Sequence, residues 1–262
     1  MIICRFRTDE TDAPRYALVR DTELLVLEVT PQTPGLAEDW ARTATGEVLA
    51  RAGARLCAPV LPSKIVCVGR NYRAHAAELG NPMPPEPLLF LKPPSSIIGP
   101  EEVIRLPPAS AQVEHEGELG VVIGRTASRL QAQDNPLAYV LGYTCVNDVT
   151  ARDIQRRDVQ FTRGKSFDTF CPVGPYLVSG LDPTALTVST RVNGQLRQQG
   201  HTEEMAFPVA ALIRYISHAM TLFPGDLIAT GTPAGVGPLQ AGETVTVEIA
   251  GLGVLSNQVD VL

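Results

Sequence analysis

No stretch of the 262-residue chain approaches the ~20 consecutive apolar residues that a bilayer crossing needs; the longest, such as Leu88 to Leu91, stop far short. Basic residues are in the minority, with 22 Lys and Arg against 28 Asp and Glu, a net charge of −6 and a pI near 5.3. That balance excludes the strongly basic face of a phosphate-backbone binder, and no Lys/Arg run is present to hold an anionic membrane. Cysteine is sparse and unpatterned: Cys4, Cys57, Cys67, Cys145 and Cys171 are odd in number and lack CxxC spacing. They read as reduced thiols. The amino terminus, MIICRFRTDE, is charged by its fifth residue and offers no apolar core for a signal peptide. The expectation is a cytoplasmic protein with neither nucleic-acid nor membrane partners.

What is present points to a folded, turn-rich chain. A composition 44% hydrophobic and 19% charged, with mean hydropathy +0.06, excludes disorder. The 22 glycines and 22 prolines exclude a coiled coil and favour many short elements joined by turns. The expected fold is α+β and mostly β. Residues 1–60 read as a small amino-terminal α/β module. Tyr16–Val29 contains a hairpin turning at Arg20-Asp21, and a helix is expected around Leu36–Arg51. Pro59 and Pro62 punctuate the chain before the main domain, residues 61–262.

In that domain KIVCVG (64–69) reads as a buried strand, and 71–79 as a short helix stopped by Gly80 and Pro82. PLLFLKPPSSIIG (87–99) gives a strand, a double proline and a second short strand. VEHEGELGVVIG (113–124) and YVLGYTCVNDV (139–149) read as strands. Thr150-Ala-Arg-Asp153 then reads as a capping-box variant that opens a helix. Pro208 opens another, whose apolar positions Val209, Leu212, Ile213, Ile216 and Met220 keep the 3.6 period. Near the end, Val245, Val247 and Ile249 alternate with Thr244, Thr246 and Glu248. This half-buried strand forms a hairpin with VLSNQV across Gly251–Gly253.

Chemistry concentrates at Glu116-Gly117-Glu118. Residues two apart on a strand share a face, so the two carboxylates project together while Gly117 leaves room behind them. Glu114, Glu116 and Glu118 are either the solvated face of an edge strand or a pair of ligands with a neighbour. In the second case a hard dication, Mg²⁺ or Mn²⁺, relieves the repulsion of carboxylates bound for the interior. The wholly apolar continuation Leu119–Ile123 favours a central strand, and so the second case. Asp148, at a strand end, is a capping acceptor or a third ligand. His75 and Glu78 are neighbours on one helix face: a surface contact, or an imidazole whose tautomer is fixed for general-base work. Lys165, in RGKSF, is a loop lysine of the kind usually solvated. TGTPAGVG (230–237) offers amides and hydroxyls to an anion, without P-loop spacing.

Taken in order, GRNYRAHAAELG (69–80), FLKPPSS (90–96), VEHEGELGVVIG (113–124), GYTCVNDVTARDIQ (142–155), GKSFDTFCPVGP (164–175) and IATGTPAGVG (228–237) resemble the fumarylacetoacetate hydrolase family. The resemblance spans roughly residues 64–260. It implies a mixed β-roll or β-sandwich main domain, usually a homodimer. Carried over position by position, it implies a metal triad of Glu116, Glu118 and Asp148 for Mg²⁺ (or Mn²⁺). It further implies a lysine beside the metal at Lys165 and a His75–Glu78 pair on a mobile lid helix. Lys92, Gln155 and Thr230, with Arg70 and Tyr72, align with positions lining the substrate pocket. The family's Asp-Tyr before the first ligand is replaced here by Glu114-His115. The implied substrate is a small 2-oxo or enol (di)carboxylate. The implied reaction is isomerisation of the 2-hydroxyhepta-2,4-diene-1,7-dioate kind, in aromatic catabolism. Alternatives are hydrolysis of an acylpyruvate such as fumarylpyruvate, decarboxylation of oxaloacetate, and an inactive homologue that only binds.

Overall fold

Short aliphatic and β-branched runs separated by glycine and proline build three sheets, and the two larger ones share the main core. The computed structural model describes residues 1–8 and 11–262. Its largest sheet has twelve strands. From one edge it runs Ala44–Ala50, Glu23–Leu27, Thr11–Arg20, Ile2–Thr8, Cys171–Val178, Val140–Asn147, Gly117–Ile123, Leu227–Ala229, Ile65–Gly69 and Leu88–Lys92. Arg55–Cys57 and Ile97–Ile98 pair off this path. Neighbours are antiparallel except where Leu227–Ala229 meets Ile65–Gly69 and Ile97–Ile98 meets Cys171–Val178. A five-stranded sheet holds Gln195–His201, Thr187–Val192, Thr244–Ile249, Gly253–Val261 and Val103–Leu106. A three-stranded one holds Thr150–Ala151, Val113–His115 and Gly237–Pro238. The fold is mostly β, as the glycine and proline content implies.

The strand Gly117–Ile123 lies in the interior of the large sheet, between Val140–Asn147 and Leu227–Ala229. Leu119, Val121 and Ile123 cluster with Val188, Val247 and Ile249, and with Leu212, Ile213 and Ile216 of the helix Val209–Ala219. Val122 joins a separate cluster with Ile65, Leu227 and Trp40. Each such aliphatic side chain contributes about 1.5–3 kcal/mol by leaving water, which is what holds this strand in place. The edge-strand reading fails accordingly: Glu114, Glu116 and Glu118 are all buried.

The hairpin expected at Arg20-Asp21 forms between Thr11–Arg20 and Glu23–Leu27, with Asp21 at φ 48 in the turn. The helix expected over 36–51 does not. It spans Ala37–Ala41 only, and Ala44–Ala50 is a strand paired with Glu23–Leu27. β-Branched Thr43 and Thr45 and Gly46, at φ 85, oppose a continuing helix, and the free edge of the hairpin supplies hydrogen bonds instead. Trp40 still packs, edge-on to Tyr16 at 5.2 Å.

Two further expectations need correcting. Residues 113–124 are not one strand: the chain leaves the three-stranded sheet at His115 and enters the twelve-stranded one at Gly117. Side chains replace the ladder at the switch, because Glu116 N donates to Asn147 Oδ1 and Gly117 N to Gln198 Oε1, both at 3.0 Å. The capping box at Thr150 is absent. Thr150 Oγ1 donates to Asp148 O at 2.9 Å, and Asp153 accepts from Ser110 Oγ and Ala111 N at 2.5 and 3.1 Å. The helix Arg152–Arg157 starts after Ala151 without a side-chain cap.

Candidate active site

The switch at Glu116 is where functional side chains converge. Glu116 and Glu118 flank Gly117, whose missing side chain matters: a Cβ there would stand 2.0 Å from Thr190 Oγ1. Asp148 follows the neighbouring strand, and its N donates to Glu116 O at 2.8 Å. One oxygen from each of Glu116, Glu118 and Asp148 lies within 4.8 Å of the others, and all three residues are buried. Asp148 caps no helix; its side chain faces this cluster.

Cations surround the acids without matching them. Arg152 binds Glu114 through Nε at 2.7 Å and also binds Glu116 through Nη2. Lys165 Nζ bridges Glu116 Oε2 at 2.8 Å and Asp148 Oδ2 at 2.7 Å. Lys92 Nζ donates to Asp148 Oδ1 at 2.6 Å and to Val149 O at 3.1 Å. Glu118 has no cation partner among the described residues; Oε2 accepts from Gly231 N at 2.8 Å. Burial, then Asp148 and Glu116, push its carboxyl well above the usual range. Burial would also raise Glu116, but Lys165 and Arg152 outweigh it and hold the carboxyl low. Burial works against the Lys165 ammonium, yet Asp148 and Glu116 hold its pKa above the ordinary value. A buried all-oxygen donor set, short of positive charge at Glu118, fits a hard divalent cation.

A cavity of about 300 Å³ opens over these carboxylates, and His75, Lys165, Arg70 and Gln155 line it with them. Lys165 is 2% exposed, which overturns the solvated-loop reading. The geometry explains it: the helical turn Thr162–Lys165 aims the side chain inward, with Nζ 5.0 Å from the Phe90 ring centroid. His75 is buried, and its Nδ1 has no hydrogen bond. Burial pushes this imidazole below its ordinary value. Glu78 is exposed; its Oε2 lies 3.5 Å from His75 Nδ1. Both Glu78 oxygens accept from Gly235 N, at 3.0 and 3.1 Å. The glycine-rich 230–237 turn therefore serves the protein's own carboxylates, Glu118 and Glu78.

Three expected pocket residues do not line this cavity. Lys92 stands behind Asp148, at the inner end of its strand. Thr230 closes the backbone, with Oγ1 donating to Leu119 O at 2.9 Å. Tyr72 sits in the core with Val68 and Met205, its hydroxyl buried and unpartnered. Their side chains follow the sheet interior, which an aligned string of residues does not display. Sequence reasoning missed Arg152, whose signal was present: an arginine close after Asp148 that two same-face glutamates could receive. It also missed Gln198. Oε1 of Gln198 accepts from Gly117 N and lies 3.0 Å from His115 Nδ1, while Nε2 donates to Thr232 Oγ1 at 2.7 Å. Nothing local marks a strand glutamine for that task.

Comparison with known proteins agrees with this frame. Residues 64–260 match the family described as fumarylacetoacetate (FAA) hydrolase C-terminal. Oxaloacetate tautomerase YisK of Bacillus subtilis is 45% identical over 220 residues, 78% of this chain and 73% of that protein. The crystal structure of 5-carboxymethyl-2-hydroxymuconate delta-isomerase from Mycobacterium smegmatis superposes with a TM-score of 0.88 at 40% identity, covering 100% of both chains. That of 2-hydroxyhepta-2,4-diene-1,7-dioate isomerase from Mycobacterium marinum gives 0.85 at 42% identity, covering 99% of this chain and 98% of the other.

Proposed function

Because the chain belongs to the fumarylacetoacetate hydrolase C-terminal family, we propose that it is a divalent-metal-dependent isomerase of a small 2-oxo or enol dicarboxylate. The similar proteins include a tautomerase and two isomerases as well as a hydrolase, and a shift of one proton between carbon and oxygen suits the cavity's equipment. Glu116, Glu118 and Asp148 would hold Mg²⁺ or Mn²⁺. When bound, the metal supplies positive charge that stabilises a developing oxyanion. Lys165 keeps its ammonium charge beside the same point, and Gln155 and Arg70 line the cavity that would take the substrate.

His75 is the base in this reading. The Glu78 carboxylate beside Nδ1 favours the tautomer that carries its hydrogen there, so Nε2 holds the lone pair. Nε2 takes a proton from the carbon next to the 2-oxo group, the C–H pair becomes the carbon–carbon double bond, the carbonyl π pair moves onto oxygen, and the proton is passed to that oxygen. No water attacks and no group leaves. The observation that carries the reading is a buried imidazole, its Nδ1 without a hydrogen bond, lining the same 300 Å³ cavity as the three carboxylates.

The test is turnover of Mg²⁺-loaded protein on oxaloacetate, 2-hydroxyhepta-2,4-diene-1,7-dioate and acetylpyruvate, with products identified. Interconversion of enol and keto forms that falls by about 10²–10⁴ in His75→Ala supports the proposal; no acceleration of either isomerisation ends it. One geometric fact favours a second reading. With Glu78 near His75, the pair could activate a water to hydrolyse an acylpyruvate, in which case acetylpyruvate is split to pyruvate and acetate.

A further inference from the structure

Four cations line the cavity: Arg70, Arg152, Arg156 and Lys165. Two are engaged by its own acids, Arg152 with Glu114 and Glu116, and Lys165 with Glu116 and Asp148. Arg70 and Arg156 have no carboxylate partner among the described residues. Arg70 is half-buried on a backbone at φ 56, beside an Asn71 whose side chain is tied to Phe207 and Thr230. Arg156 is different. Its side chain is exposed and makes one long contact, Nη1 to Gln112 Oε1 at 3.4 Å. It stands four residues after Arg152 on the helix Arg152–Arg157, so both guanidiniums share a helix face. Arg152 points from that face to the acids on the cavity floor, and Arg156 reaches its rim.

We propose that Arg156 is a specificity-determining residue: its guanidinium takes the carboxylate at the far end of the substrate, the end not held over the three acids. A planar fork of donors receives a carboxylate bidentately, and the weak Gln112 contact leaves this fork free to turn. The site then separates a diacid from the same molecule with its far end neutralised. This rests on the reading above, in which a 2-oxo acid head sits over Glu116, Glu118 and Asp148.

Calorimetry on the Mg²⁺-loaded protein tests it with two unreactive probes, N-oxalylglycine and its methyl ester at the glycine carboxylate. Wild type binds the diacid tighter by about tenfold or more, the difference one charged hydrogen-bonded pair supplies. Arg156→Gln erases that ratio, leaves the ester's affinity unchanged, and Arg156→Lys restores part of the ratio. An unchanged ratio in Arg156→Gln overturns the assignment, as does its loss in Arg70→Gln alone. Equal weakening of both probes also overturns it, because the arginine would then only support its helix. If wild type binds neither probe, the head-group reading itself fails and the inference falls with it.

Discussion

Lys92 and Asp148 form an ion pair sealed from solvent, with Nζ 2.6 Å from Oδ1 and side chains 0% and 1% exposed. Since Lys165 takes the other Asp148 oxygen at 2.7 Å, both faces of this carboxylate meet an ammonium. Losing Lys92 leaves Asp148 to Lys165, which Glu116 already shares, so the buried cluster is one cation short, a loss of the broken-pair kind that costs about 3–5 kcal/mol. Lys92→Met should therefore lower the thermal midpoint by on the order of 10 °C in EDTA. A scan that moved by less than about 2 °C, under 1 kcal/mol, would show that the pair carries no such weight.

Glu118 should separate stability from metal binding. Its folded pKa lies above the unfolded value. This group's contribution to the stability of the metal-free protein therefore falls as pH rises past about 4.3, where the unfolded carboxylate ionises. Glu118→Gln removes that penalty and keeps the acceptor for Gly231 N. We expect an unchanged or higher midpoint in EDTA at neutral pH, with Mg²⁺ binding lost in calorimetry. Retained affinity would argue against the triad.

Gly117 and Thr190 should couple. Gly117→Ala drives a methyl into Thr190 Oγ1, and overpacking of this kind costs about 1–3 kcal/mol. Thr190→Ala makes the space. The double variant should recover most of the loss in urea titration, and strictly additive effects would place the clash elsewhere.

The acid limb of kcat/KM should fall below the ordinary imidazole value of about 6.5, because burial lowers the His75 pKa. Neutral imidazole is the active base, so a lowered pKa extends activity to more acid pH. Glu78 raises this group, and Glu78→Gln should shift the limb further down. A limb above about pH 7, on the far side of that ordinary value, would exclude His75 as the base.

Thiol labelling should find one accessible cysteine. Burial pushes Cys4, Cys145 and Cys171 up to about 12 and Cys67 well above its ordinary value. Cys57 is half-exposed. Iodoacetamide at about pH 8, near the free-thiol value, should modify Cys57 first in the folded chain, with mass spectrometry reading the site. Comparable labelling at Cys145 would contradict the packing.

The strands were legible wherever their own residues carry the period. Leu119–Ile123 announced a central strand and Val209–Ile216 a helix, because burial there follows local pattern. Gly117 was legible as the small residue behind two carboxylates. The helix over 36–51 was misread because Ala44–Ala50 takes its state from a partner strand, not from its composition. Likewise, Arg152, Gln198 and the retreat of Lys92 behind Asp148 depend on pairings between distant segments. No window of sequence contains both halves of those contacts.

The carboxylate cluster draws Glu116 and Glu118 from the segment where the chain changes sheets between His115 and Gly117, Asp148 from the next strand's end, and the amide that steadies Glu118 from Gly231. The paired strands Gly117–Ile123 and Val140–Asn147 bring the three acids together, and the Gly231 amide closes on Glu118 from 113 residues away. During refolding, magnesium uptake should lag behind the appearance of β-structure, since these non-local closures come late. Copies that stall or misassemble would then lack a completed carboxylate cluster, whatever β-structure they already show.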